Sequence, residues 1–233
     1  MLPTTRSPDR SRAPSPSPRH RVTEFISDPA FPCVGAKSAL NKDRVRFASY
    51  RALGNAADAA DLCARLHAFS EEFPDPGNVP VSFVVTFEEQ VADEAAFEAA
   101  LWHHLQVMHE HDRTRFAWDA TVANDPSQAD FSLSIGGRAF FVVGLHPTAS
   151  RLARRAPFPC LVFNFHNQFE SLKASGKYQT MQAAIRARDV QLQGSVNPVL
   201  AAFGQASEAR QYSGRPVDSR WRCPFQSKAA KHA

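Results

Sequence analysis

The stretch "DFSLSIGGRAFFVVGLH" (residues 130–146) decides the fold. Two apolar runs flank Gly136-Gly137, and a tight turn between antiparallel strands needs positive φ at its central positions, which glycine adopts without steric cost. The stretch therefore reads as a β-hairpin. Two further strands flank it in sequence. "VSFVVTF" (81–87) enters after the breaker "PDPGNVP", and "CLVFNFH" (160–166) is rich in β-branched and aromatic residues.

Helical patterns surround these strands. Cys33 to Leu40 fits a short helix, and residues 56–70 place Leu62, Leu66 and Phe69 on one face. The longest candidate, 92–111, repeats Phe97, Leu101, Leu105 and Met108 at helical spacing. Residues 178–194 read as a helix stopping at Gly194, and 197–204 as a short one stopping at Gly204. The segment "SEARQYSGRPVDSRWRCPF" (207–225) looks ordered but irregular. Antiparallel strands with helices before and after predict one α+β domain over residues 25–227, a mainly antiparallel sheet flanked by helices. A short tail, 228–233, follows.

The chain has 233 residues, 43% of them hydrophobic, enough for one sizeable core. Eighteen Phe against three Tyr and three Trp point to a core or pocket of plain aromatic surface. The net charge of +4 is local: residues 1–22 hold five arginines against one aspartate, while the remainder balances. That segment, with five prolines and repeated Ser-Pro steps, cannot bury enough surface to offset the entropy of ordering, so residues 1–24 are expected to be a disordered tail. The basic charge then says little about nucleic acid, and no nucleic-acid partner is expected. No apolar run suits a signal peptide or a membrane span, so no membrane partner is expected and the expected compartment is the cytoplasm. The four cysteines (33, 63, 160, 223) lack C-x-x-C spacing and indicate neither a zinc site nor a disulfide framework.

Four features could carry chemistry. Between Asp130 and Glu170 there is no carboxylate, while Arg138, Arg151, Arg154 and Arg155 fall inside the window. Arginines without local acids suit an anion such as a carboxylate, propionate or phosphate; alternatively they pair with acids distant in sequence. His146 ends an apolar strand before a proline, where it either ligates a metal or haem iron or bonds a neighbouring loop. The histidines of "LWHHLQVMHEH" (101–111) do not form H-E-x-x-H and read as solvated or cap residues. Cys33 is either a thiolate near a helix start, able to ligate haem or act as a nucleophile, or a small packed side chain beside Phe31. A serine nucleophile is not supported: there is no G-x-S-x-G, and Ser150 has no assignable base.

Taken together, "FPCVGAK.A" (31–39), "FFVVGLHPTASRLARR" (140–155), "LVFNFHNQFE" (161–170), "IRARD..LQGS.NP" (185–198) and "SEARQYSGR....W.CPF" (207–225) resemble the YqcI/YcgG family. The resemblance spans about Phe31 to Phe225. That family contains the haem-dependent N-hydroxylase of guanitoxin biosynthesis, to which the arginine N-hydroxylase of D-cycloserine biosynthesis is similar. The resemblance implies a haem b protein, a monooxygenase that uses dioxygen and an external electron donor to hydroxylate a nitrogen of a guanidine- or amine-containing, amino-acid-like small molecule. It makes His146 the leading iron ligand, with Cys33 or His166 as alternatives; the Cys33-Val34-Gly35 step is similar to the cysteine-ligand loop of nitric oxide synthases. Ser150, Arg151, Arg154, Arg155, Lys37 and Arg215 become candidates to hold the cofactor or a substrate carboxylate. A cationic substrate needs a buried carboxylate. Glu208 is the first choice over Glu170 and Asp189, with Gln211 and Tyr212 orienting the substrate. The rival expectations are a haem carrier or sensor without turnover, and a haem-free anion-binding module.

Overall fold

A computed structural model of the chain describes residues 16–198 and 206–230. The N-terminal half contains α1 (Pro18–Ser27), α2 (Val34–Asn41), β1 (Val45–Tyr50), α3 (Ala56–Glu72), β2 (Ser82–Phe87) and α4 (Glu94–Asp112). There follow β3 (Leu133–Ile135), β4 (Arg138–Leu145), a 3-10 turn at Leu152–Arg154, β5 (Cys160–Phe165), α5 (His166–Ala174), α6 (Lys177–Gln193) and α7 (Ala209–Tyr212).

The hairpin forms as its glycines dictate. Leu133 lies opposite Phe140 and Ile135 opposite Arg138, with Gly136 and Gly137 at φ of 62° and 72°. β4 pairs antiparallel with β5, and β5 with β2. β1 adds to the outside of β2 in parallel, a pairing that requires a crossover, which α3 supplies. The order is β1-β2-β5-β4-β3, so the sheet is mixed but mostly antiparallel, and the α+β class holds.

Side-chain alternation sorts the sheet into two faces. Phe83 and Val85 of β2, Phe140 and Val142 of β4, and Phe163 and Phe165 of β5 meet α3 and α4, whose Leu62, Leu66, Phe97, Leu101 and Leu105 complete the main core. The other face presents Val84, Leu145 and Cys160 to Val22, Ile26, Phe31 and Ala39 of the α1–α2 region. With both faces covered, all six residues of β2 are buried.

Several expectations are corrected. Pro18–Ser27, placed largely in the tail by composition, is helical: Ser17 caps it through the His20 N–H, and Val22 and Ile26 are buried four residues apart. The tail reading for residues 1–15 lies outside the described residues, as do positions 199–204 of the short helix expected at 197–204. β1 is an edge strand with one fully buried residue, Val45, so its pattern in sequence is weak. Residues 228–229 are docked rather than free, since Lys228 N–H donates to His109 Nε2 (2.9 Å) and Arg113 Nη1 to Ala229 O (3.0 Å). His104 is fully buried with Nδ1 accepting Gly54 N–H (2.9 Å), and His109 is buried too, so these two are not solvated. All four cysteines are free, and among the described residues no helix is long and apolar enough to cross a membrane.

Candidate functional site

The second face of the sheet is not fully closed by its helices. Between it and α2, α5 and α6 lies a cavity of about 310 Å3. Val84, Val143 and Val162 form its floor, since they share a parity along β2, β4 and β5. Phe31, Phe141 and Phe169 give it flat aromatic walls. From α6 come Met181, Ile185 and Asp189, spaced i, i+4, i+8 and therefore on one stripe. Gly35 lets α2 come close: a Cβ there would lie 3.5 Å from Met181 Sδ and 3.6 Å from Pro80 Cγ.

Few chemically active groups break this apolar lining. Cys33 is the N-cap of α2, and the Ala36 N–H donates to its Sγ at 3.4 Å. Burial pushes the thiol upward, while amide hydrogen bonds from Ala36 and Gly35 and the charges of Arg154 and Lys37 pull the other way; burial wins. Arg154, in the 3-10 turn, is 8% exposed. Its Nη1 donates to Gly144 O (2.8 Å) and Tyr212 O (3.4 Å), and its Nη2 to Gln211 O (3.2 Å). Burial lowers its pKa to about 10, against the raising effect of Cys33 and Asp189, so it stays cationic at neutral pH. Asp189 is 4% exposed; its Oδ2 accepts Arg151 Nη2 (2.5 Å) and Asn197 N–H (2.9 Å), and its Oδ1 has no hydrogen-bond partner among the described residues.

Of the residues singled out in sequence, the cavity collects Cys33, Arg154, Gln211 and Asp189. His146 is not among them. Its ring stacks on Phe97 of α4 (centroids 4.3 Å apart), on the main-core side, and Nδ1 meets Thr148 Oγ1 at 2.9 Å. Burial lowers its pKa to about 4, so it is a neutral strand-end histidine. His166 stands 3.4 Å from Glu208 Oε1, again away from the cavity lining. Glu208 is engaged elsewhere through Oε2: Ser132 Oγ donates to it (3.0 Å), as does the Tyr212 hydroxyl (3.4 Å), and burial raises its pKa. Tyr212 stacks on Trp102 and accepts Leu133 N–H, which makes it core.

The other candidates are tied up structurally. Arg151 serves Asp189 and Ser195, and Arg155 donates to Ala149 O. Arg215 pairs with Glu98, Ser150 with Glu94, and Lys37 with the carbonyls of Asp28 and Pro29. Glu170 is exposed and near Lys173. Met181 and Ile185 of α6 were missed in sequence, although they stand at i−8 and i−4 from Asp189 and were readable there as an apolar stripe ending in that acid. Among the described residues no three His, Cys, Asp or Glu side chains come together as a metal cluster.

Fold and cavity together define an α+β domain with a ligand-sized, mostly apolar chamber bordered by a thiol, a guanidinium and a carboxylate. The chain belongs to the YqcI/YcgG family, whose signature matches residues 22–226. Neither the curated proteins nor the solved structures gave a match.

Proposed function

We propose that this chain is a haem-dependent monooxygenase that hydroxylates a nitrogen of a guanidine- or amine-containing, amino-acid-like small molecule. The observation that carries the reading is the Cys33 thiol at the N-terminus of α2, opening into an apolar cavity in a member of this family. The residues present fit haem b in their chemistry. Cys33 offers a soft donor that loses its proton on metal binding, and the Ala36 amide hydrogen-bonds its sulfur. Phe141, Phe169, Val143 and Val162 offer the flat apolar surface a macrocycle needs. Haem, when bound, supplies dioxygen activation, and a thiolate ligand favours O–O cleavage.

The remaining roles fall to the cavity wall. Asp189 is the carboxylate available to hold a cationic substrate nitrogen, with its Oδ2 fixed by Arg151. Gln211 borders the same space and orients the bound molecule. Phe169, Leu172 and Ile185 exclude water from it. Electrons come from an external donor, and the proposed compartment is the cytoplasm, where reducing conditions keep Cys33 free.

The test is the absorption spectrum of the purified protein, ferric and as the ferrous–carbon monoxide complex. The expected result is the red-shifted band of thiolate-ligated haem, lost in Cys33→Ser, and a spectral shift on adding L-arginine. Protein that stays colourless and takes up no hemin overturns the reading; unchanged haem spectra in Cys33→Ser overturn the ligand.

A further inference from the structure

We infer that Arg154 is the anchor for a carboxylate group carried by the molecule that fills the cavity. A guanidinium buried without a counter-charge is costly, because its lost hydration is not replaced by an opposite charge. Of the other arginines bonded inside the fold, Arg151 pairs with the buried Asp189 and the half-buried Arg215 with Glu98. Arg154 alone among these has no acid within ion-pair distance among the described residues. Its orientation is nevertheless fixed, by the carbonyls of Gly144, Gln211 and Tyr212 and by Gly214, whose added Cβ would lie 3.3–3.4 Å from the arginine side chain. Those carbonyls take up Nη1 and part of Nη2. The Nε–H and the second Nη2 proton, the edge that receives a carboxylate side-on, have no acceptor among the described residues. The structure thus holds a pre-oriented cation in the wall of an apolar chamber, and its complement is an anion of planar, bidentate shape.

The carboxylate has two sources on the haem reading, a haem propionate or the substrate's own carboxylate, and in those two arms the inference rests on that reading. In the first arm, haem-free protein is titrated with hemin and with its dimethyl ester. In the second, haem-loaded protein is titrated with L-arginine and with agmatine, the same guanidine without the carboxylate. If hemin does not bind at all, the haem reading falls, and the haem-free protein is titrated with dodecanoate and methyl dodecanoate instead. The expected result is that, in at least one arm, wild type prefers the free carboxylate by about tenfold to a hundredfold and Arg154→Gln loses that preference. Arg154→Lys, which keeps the charge but not the fork, retains part of it; should Arg154→Gln fail to unfold cooperatively, the lysine variant decides. A preference that neither variant reduces, or no preference in any arm, overturns the inference.

Discussion

His146 and Cys33 face opposite sides of one sheet, and that separates their chemistry. In β4, Val143 and Leu145 point to the cavity, while Gly144 and then His146 point to α4. The imidazole is sandwiched against Phe97 and 1% exposed, with Nδ1 occupied by Thr148. Replacing it by phenylalanine keeps a ring of similar size and loses one hydrogen bond. His146→Phe is therefore expected to bind hemin as wild type does on the proposed haem reading, and to change unfolding free energy by no more than about 1.5 kcal/mol in a denaturant titration. Loss of haem from a stably folded His146→Phe protein would refute the assignment of Cys33. The sequence shows that His146 ends a strand; which face of that strand borders a cavity depends on helices twenty or more residues away.

At the scale of elements, β4 of the hairpin comes close to the α4 helix at Gly144. A Cβ on Gly144 would come within 2.6 Å of Phe97 Cε1, 2.8 Å of Leu101 Cδ1 and 2.8 Å of Tyr212 O. Two of these are core side chains and the third is backbone of α7, so none can give way cheaply. Gly144→Ala is expected to destabilise the protein by about 1–3 kcal/mol, read as a lower denaturant midpoint at unchanged slope. Because Gly144 O also accepts from Arg154, the same change disturbs the cavity wall. The hairpin, β2, β5, α3 and α4 were legible in sequence because each carries a strong period or turn signal of its own. β1 was not, since an edge strand pairs on one side only, and α7 is too short to show a period. The cavity was half legible: the family blocks held Cys33, Arg154, Asp189 and Gln211, but only the packing of α6 over the sheet selects them from the other arginines and acids.

For the whole molecule, buried titratable groups set how stability depends on pH. Burial lowers His104 and His146 from 6.5 to about 4, and lowers His109 as well. Between about pH 4 and 6.5 the folded state then binds fewer protons than the unfolded chain, so these histidines withdraw stability as pH falls through that window. Asp112 acts in the opposite sense. It joins α4 to the hairpin by accepting the Gly136 N–H (2.9 Å), and burial raises it from 3.8 to about 6. Its folded form binds more protons than its unfolded form, so its contribution worsens as pH rises from about 4 to 6. Glu208, also raised by burial, adds to that opposing side in direction. At still lower pH, Glu110, held down to about 2 by hydrogen bonds from Lys228 and Arg113, becomes a further loss. His104 and His146 are therefore each expected to withdraw about 1–3 kcal/mol of stability on acidification from pH 6.5 to 4, and Asp112 to offset part of that loss. Denaturant unfolding at pH 4.5, 5.5 and 7 checks this with two variants. His146→Phe should show a shallower loss, because one destabilising protonation is gone. Asp112→Asn keeps the acceptor for Gly136 and removes the opposing group, so its loss on acidification should be steeper than wild type. An Asp112→Asn profile flatter than wild type would mean that the carboxylate is stabilised in the fold, and the sign assigned to Asp112 would be wrong.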